Sequence, residues 1–101
     1  MIENYIKEAD RVTYLMPKEV DHHCAGQIIA ELDALIEGCG VRKIVFDMKQ
    51  TEFMDSSGIA VALRGWQRMR ELGGSVTLRH VAQQPRKVFE AAGVGRMMTI
   101  D

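Results

Sequence analysis

The 101-residue chain has only two cysteines, Cys24 and Cys39, and their spacing matches no metal or redox motif. A disulfide framework is excluded, and reduced thiols are expected. The formal net charge is −1, with 13 basic and 14 acidic side chains, so the electrostatic footprint of a nucleic-acid binder is missing. No apolar run is long enough to span a bilayer. Glu3, Lys7, Glu8 and Asp10 break up the N-terminal segment, which therefore lacks the basic-then-apolar pattern of a secretory signal. Neither a repeat nor a low-complexity tract is visible, so one domain spanning residues 1–101 is expected. What remains is ordinary globular composition, 47% hydrophobic and 27% charged.

The pattern of apolar residues alternates between two periods. Val12, Tyr14 and Met16 recur every second residue across Arg11–Pro17, as in a half-buried strand. Ile2–Ile6 is the expected hairpin partner, joined through the turn Glu8-Ala9-Asp10-Arg11. From Ala25 the spacing of Ile28, Ile29, Leu32, Leu35 and Ile36 predicts an amphipathic helix, with Asp21 as its N-cap and Gly38 as its stop. Lys43–Met48 reads as a central strand buried on both faces. A second helix is expected from about Ser57 to Leu72, ended by Gly73-Gly74. Ser75–Val81 is a further strand, Gln84–Ala92 a short helix with Pro85 in its first turn, and Met97–Ile100 a last strand. The order β-β-α-β-α-β-α-β predicts an α/β fold, a mixed four- to five-stranded sheet covered by helices, with right-handed crossovers.

One junction carries more polar chemistry than a helix start needs. Phe53-Met54-Asp55-Ser56-Ser57-Gly58 places an acid and two hydroxyls before an apolar helix, although one side chain is enough for a cap. Unpaired N–H groups and the positive end of the helix dipole favour an anion there, and a phosphoryl group would bring about −1.5 to −2 charges. Other clusters carry less. Asp21-His22-His23 also opens a motif of metal-dependent phosphoesterases, but His80 is the only other histidine, too few ligands for a two-metal site. Cys24, His23 and Ser56 form no nucleophilic triad, since nothing fixes a base against a nucleophile. Arg64, Arg68 and Arg70 read as a solvated helix face or a landing surface for an acidic partner, while Trp66 and Met69 belong to the apolar stripe.

Three stretches, Lys18–Ala25, Ile44–Gly74 and His80–Ile100, together resemble the STAS domain of anti-sigma-factor antagonists, most nearly the sporulation (SpoIIAA-type) group. The specific parts are Glu19-Val20-Asp21, Phe53 to Gly58, and Gly73-Gly74. The resemblance implies a STAS-type fold and a protein switch rather than an enzyme. In such families the unphosphorylated antagonist binds an anti-sigma factor that is also a serine kinase, and a sigma factor is released. Phosphorylation ends the interaction and a phosphoserine phosphatase restores it. The family's modified serine falls on Ser56. The expected partner-binding residues are Asp21, His22, His23, Asp55, Ser57 and Gly58, with the first three on a loop brought near Ser56. No cofactor, metal, nucleic acid or membrane is expected, and the location expected is the cytoplasm. Members of the family often continue past the last strand with another helix, so an apolar patch, exposed or covered by a partner, is expected near Asp101. The rival readings are a STAS subunit of a stress-signalling scaffold or lipid-transport complex, and a small metal-dependent phosphoesterase.

Overall fold

The structure is a computed structural model that describes residues 4–101. Strand β1 (Tyr5–Glu8) pairs antiparallel with β2 (Arg11–Leu15) in a tight hairpin whose register sets Tyr5 opposite Tyr14 and Glu8 opposite Arg11. The turn is therefore Ala9-Asp10, with Ala9 at φ 51°, and the strand runs further toward the turn than the Ile2–Ile6 expectation. Ile2 and Glu3 lie outside the described residues. The short strand β3 (Glu19–Val20) leads directly into helix α1 (His22–Cys39).

Helix α1 begins at its expected cap, Asp21, and runs past its expected stop. The Asp21 carboxylate accepts a hydrogen bond from the His23 N–H at 2.9 Å, so the helix starts immediately after the cap. This is the cap expected from the sequence; His22 and His23 fill the first turn, exposed and outside the apolar stripe that begins at Ala25. The stop is Gly40, in the left-handed conformation at φ 63°, and Gly38 is helical.

Strand β4 (Lys43–Asp47) has Ile44, Val45 and Phe46 all buried, as a strand covered on both faces requires. A second two-residue strand, β5 (Phe53–Met54), precedes helix α2 (Ser56–Leu72). Strand β6 (Ser75–Arg79), helix α3 (Gln83–Ala91), a 3₁₀ turn over Val94–Arg96 and strand β7 (Thr99–Ile100) complete the chain. Pro85 occupies the first turn of α3, where its missing N–H breaks no intrahelical bond.

The main sheet has the order β1-β2-β4-β6-β7, antiparallel at β1–β2 and parallel elsewhere. The expected mixed sheet thus has five strands. Helix α2 crosses it closely because Gly65 has no side chain: a Cβ there would stand 3.2 Å from the Phe46 ring. Tyr14, Phe46, Leu32, Met69 and Leu78 are among the fully buried side chains of the core between helices and sheet. At the far end of α2, Gly73 adopts φ 74°. The backbone of Gly74 sits so near the Arg42 carbonyl that a Cβ would lie 2.1 Å from its oxygen. The pair therefore needs glycine for two different reasons, left-handed backbone and close approach.

Candidate functional site

The strands β3 and β5, absent from the expected element order, build the site. They pair with each other in a separate parallel ladder, Glu19 opposite Phe53 and Val20 opposite Met54. The next N–H, that of Asp55, donates to the Val20 carbonyl at 3.1 Å. Asp21 and Asp55 follow equivalent rungs, and each caps the helix that begins one residue later. Two parallel helices therefore open at one edge, with their positive dipole ends side by side and a carboxylate at each. The loop before this ladder is held by its own contacts. Buried Thr51 donates through its hydroxyl to the Pro17 carbonyl at 2.8 Å, and Gln50 Nε2 donates to the Met16 carbonyl at 2.8 Å.

Ser56 occupies the first position of α2, and it is exposed. Four N–H groups at a helix start lack intrahelical partners, and three of them can be accounted for here. Asp55 N–H reaches Val20, Ser57 N–H donates to Asp55 Oδ1 at 2.7 Å, and Gly58 N–H donates to the Asp55 carbonyl at 3.1 Å. The fourth belongs to Ser56 itself. Capping is thus performed by Asp55, and the Ser56 side chain is released from that duty and directed toward solvent. Ser57 is half-buried, and its backbone rather than its hydroxyl is the group the cap engages.

Gly58 answers to packing. It is buried, and a Cβ on it would overlap the fully buried Met54 side chain at 2.2 Å from sulfur. Among the expected contact residues it therefore faces inward, and any part it takes in an interface acts through the position of the Ser56 turn. The other edge of β5 is closed by a side chain. Met54 N–H donates to Gln84 Oε1 at 2.8 Å, and Gln84 Nε2 donates to the Met54 carbonyl at 3.0 Å. A primary amide offers one donor and one acceptor side by side, so Gln84 takes the place of a third strand. No sequence pattern singles out this glutamine from the other first-turn residues of α3.

His22 and His23 are in the first turn of α1 rather than on a loop, exposed and with ring centroids 4.0 Å apart. His23 Nδ1 lies 3.6 Å from the Asp21 carboxylate. The His23 backbone N–H, followed by the imidazoles themselves, holds the Asp21 carboxyl below the usual carboxylate range. Cys24 is half-buried and faces the Glu19 and Asp21 carbonyls, with no base against it. Among the described residues, no group of three or more His, Cys, Asp or Glu side chains has metal-binding geometry. No helix among those residues is long and apolar enough to cross a membrane.

The arginines of α2 are not a free basic face. Arg64 Nε and Nη2 grip Asp33 of α1 at 3.2 and 3.0 Å, and Arg68 Nη1 reaches the same carboxylate at 3.1 Å. The Asp33 hydrogen bond raises the Arg64 pKa above its ordinary value. Both side chains clamp α1 to α2 from the side. Arg70 instead stacks 5.3 Å over the half-buried Trp66 ring, a contact worth roughly 0.5–1 kcal/mol at such an exposed position.

The arrangement presents one exposed hydroxyl at a capped helix start, and the carboxylate next to it in the chain, that of Asp55, is engaged in the cap. Comparison with known proteins agrees in fold and in family. A family model described as STAS domain matches residues 4–101. The chain is 34% identical over 80 residues to an anti-sigma F factor antagonist of Lysinibacillus sphaericus, covering 79% of this chain and 68% of that protein. Its fold is similar to the anti-sigma factor antagonist SpoIIAA solved in its unphosphorylated form, with a TM-score of 0.86 and 28% identity over 95% of this chain and 84% of the other. It is also similar to the phosphorylated form of SpoIIAA, the Bacillus cell fate determinant, with a TM-score of 0.76 and 28% identity over 95% and 86% of the two chains. With its ladder of helix caps and its serine at the head of α2, the chain belongs to the STAS domain family.

Proposed function

We propose that this chain is an anti-sigma-factor antagonist, switched by phosphorylation of Ser56. In its unphosphorylated form it binds an anti-sigma factor that is also a serine kinase, and the bound sigma factor is released. Phosphoryl transfer to the Ser56 hydroxyl ends that interaction, and a phosphoserine phosphatase restores it. The chain itself is no enzyme in this cycle. The kinase supplies the catalytic base, and this protein supplies an accessible hydroxyl. The cycle runs in the cytoplasm and fits a sporulation programme.

The observation that carries this reading is the exposed Ser56 hydroxyl, freed from capping by Asp55 and set where two helix starts meet. The likeness to SpoIIAA, which has been solved in both phosphorylated and unphosphorylated forms, supports it. A phosphate on Ser56 joins two carboxylates, Asp21 and Asp55, at one sheet edge. Repulsion and desolvation then oppose any acidic or apolar partner surface, without a change of fold. His22, His23, Asp21, Asp55 and the Ser57 segment surround that point and form the rest of the contact.

The test is phosphorylation by the anti-sigma factor kinase of the same genome with ATP. One phosphate on Ser56 is expected, and Ser56→Ala should take up no label while keeping the wild-type melting curve. Label of equal yield on Ser57 in that variant would remove Ser56 from its assigned role.

A further inference from the structure

The main sheet ends at β1, and among the described residues no strand pairs with its outer edge. The hairpin fixes which groups lie there. Leu15 N–H donates to the Asn4 carbonyl at 2.7 Å, so Asn4, Ile6 and Glu8 form the hydrogen-bonded pairs with β2. Tyr5 and Lys7 therefore turn their N–H and C=O groups outward, away from the sheet. Between them Ile6 is 62% exposed, the most exposed large apolar side chain among the described residues. It lies on the face opposite that of Tyr5, which packs against the core. An open edge with an apolar residue at its centre is a template for another strand.

We infer that β1 pairs antiparallel with β1 of a second copy of this chain, about a two-fold axis at Ile6. In this register Tyr5 and Lys7 of one copy face Lys7 and Tyr5 of the other. All of these are outward-facing residues, so each pair exchanges both of its N–H···O bonds. Ile6 meets its own counterpart between them, in the closer, non-hydrogen-bonded kind of pair. Charge supports the register. Glu8 falls opposite Asn4, and Lys7, whose ammonium donates to the Ala9 carbonyl at the turn, falls opposite a tyrosine. Moving the axis to Lys7 would set lysine against lysine, which is destabilising. The contact is isologous and closes on itself, joining two five-stranded sheets edge to edge. Two four-residue strands bury less than a standard interface, so the dimer is weak and concentration-dependent. The pairing uses none of the residues around Ser56 and does not depend on the function proposed above.

Disulfide trapping tests the register, in a background carrying Cys24→Ser and Cys39→Ser. The Cα atoms of a non-hydrogen-bonded pair are about 4.5 Å apart, within disulfide reach. Ile6→Cys should therefore oxidise to a covalent dimer at least about tenfold faster than Lys7→Cys, whose own counterpart is out of register. Sedimentation at rising concentration gives a second reading. Wild type should pass from monomer to dimer. Ile6→Lys, at an exposed position, should keep the wild-type melting curve and stay monomeric over the same range. Equal trapping of the two cysteine variants, or a wild type still monomeric at about 1 mM, would overturn the pairing. A dimer left intact by Ile6→Lys would overturn it too, by placing the contact elsewhere.

Discussion

Asp21 and Asp55 stand one residue beyond the paired rung Val20–Met54, and each carboxylate caps the helix that follows it. Two chain segments separated by more than thirty positions thus end in the same turn geometry, side by side. The pairing of their strands, more than either cap alone, defines the surface around Ser56.

Charge at the head of α2 should act on binding and spare folding. Ser56→Asp places an anion where the helix dipole favours one, so thermal unfolding should change little. Affinity for the anti-sigma factor should fall about tenfold or more, measured by calorimetry. Binding as tight as the wild type would show that charge at this position is not the switch.

The two histidines probe the neighbouring helix start. Their rings are exposed, and the cap acts through the His23 backbone, so His22→Ala with His23→Ala should leave the melting temperature nearly unchanged. Each edge contact contributes roughly 0.5–1 kcal/mol, and the double variant should bind measurably more weakly. Unchanged titration curves would confine the interface to the α2 side.

Gly58 has no room for a methyl group. Gly58→Ala should destabilise the protein by about 1–3 kcal/mol in chemical denaturation, the usual cost of overpacking. Shortening the opposing side chain with Met54→Ala in the same chain should return part of that loss, since the clash is with Met54 alone. Equal stability of the single variant and the wild type would contradict the contact.

Acid should weaken the α1 cap. The Asp21 pKa is lowered on folding, so its contribution to stability is fully present above the ordinary carboxylate pKa of about 3.9. It is lost as pH falls through the lower folded value, because only the folded state holds the proton off. Asp21→Asn keeps a good cap without a titrating group. Its melting temperature should therefore fall less steeply with acid than that of the wild type, and parallel slopes would refute the assignment.

Much of this fold is legible in the sequence because its long elements are periodic. The stripe from Ile28 to Ile36, the run Ile44-Val45-Phe46 and the Gly73-Gly74 stop each have a direct physical signature. The elements that build the site do not. Glu19-Val20 and Phe53-Met54 are two residues each, too short to show alternation, and they become strands only by finding one another. Asp55 and Ser56 could be recognised as a cap and a spare hydroxyl, but which residue did which depended on a single hydrogen bond to Ser57. Arg64 and Arg68 looked like a free basic face because their partner, Asp33, lies on another helix. Gln84 gave no signal at all, since a bridge from a side chain to a distant backbone has no local pattern.

That glutamine has a consequence for exchange with solvent. The Met54 amide proton is held by a side chain from another element, so its release requires the Gln84 amide to swing away, alone or with α3, even while α2 stays wound. Isotope exchange at this one amide therefore reads the Gln84 bridge separately from the melting of α2. A segment that settles against α3 slows that exchange, and one that pries α3 outward speeds it. The backbone two residues before Ser56 is in this way a built-in gauge of what happens one helix away.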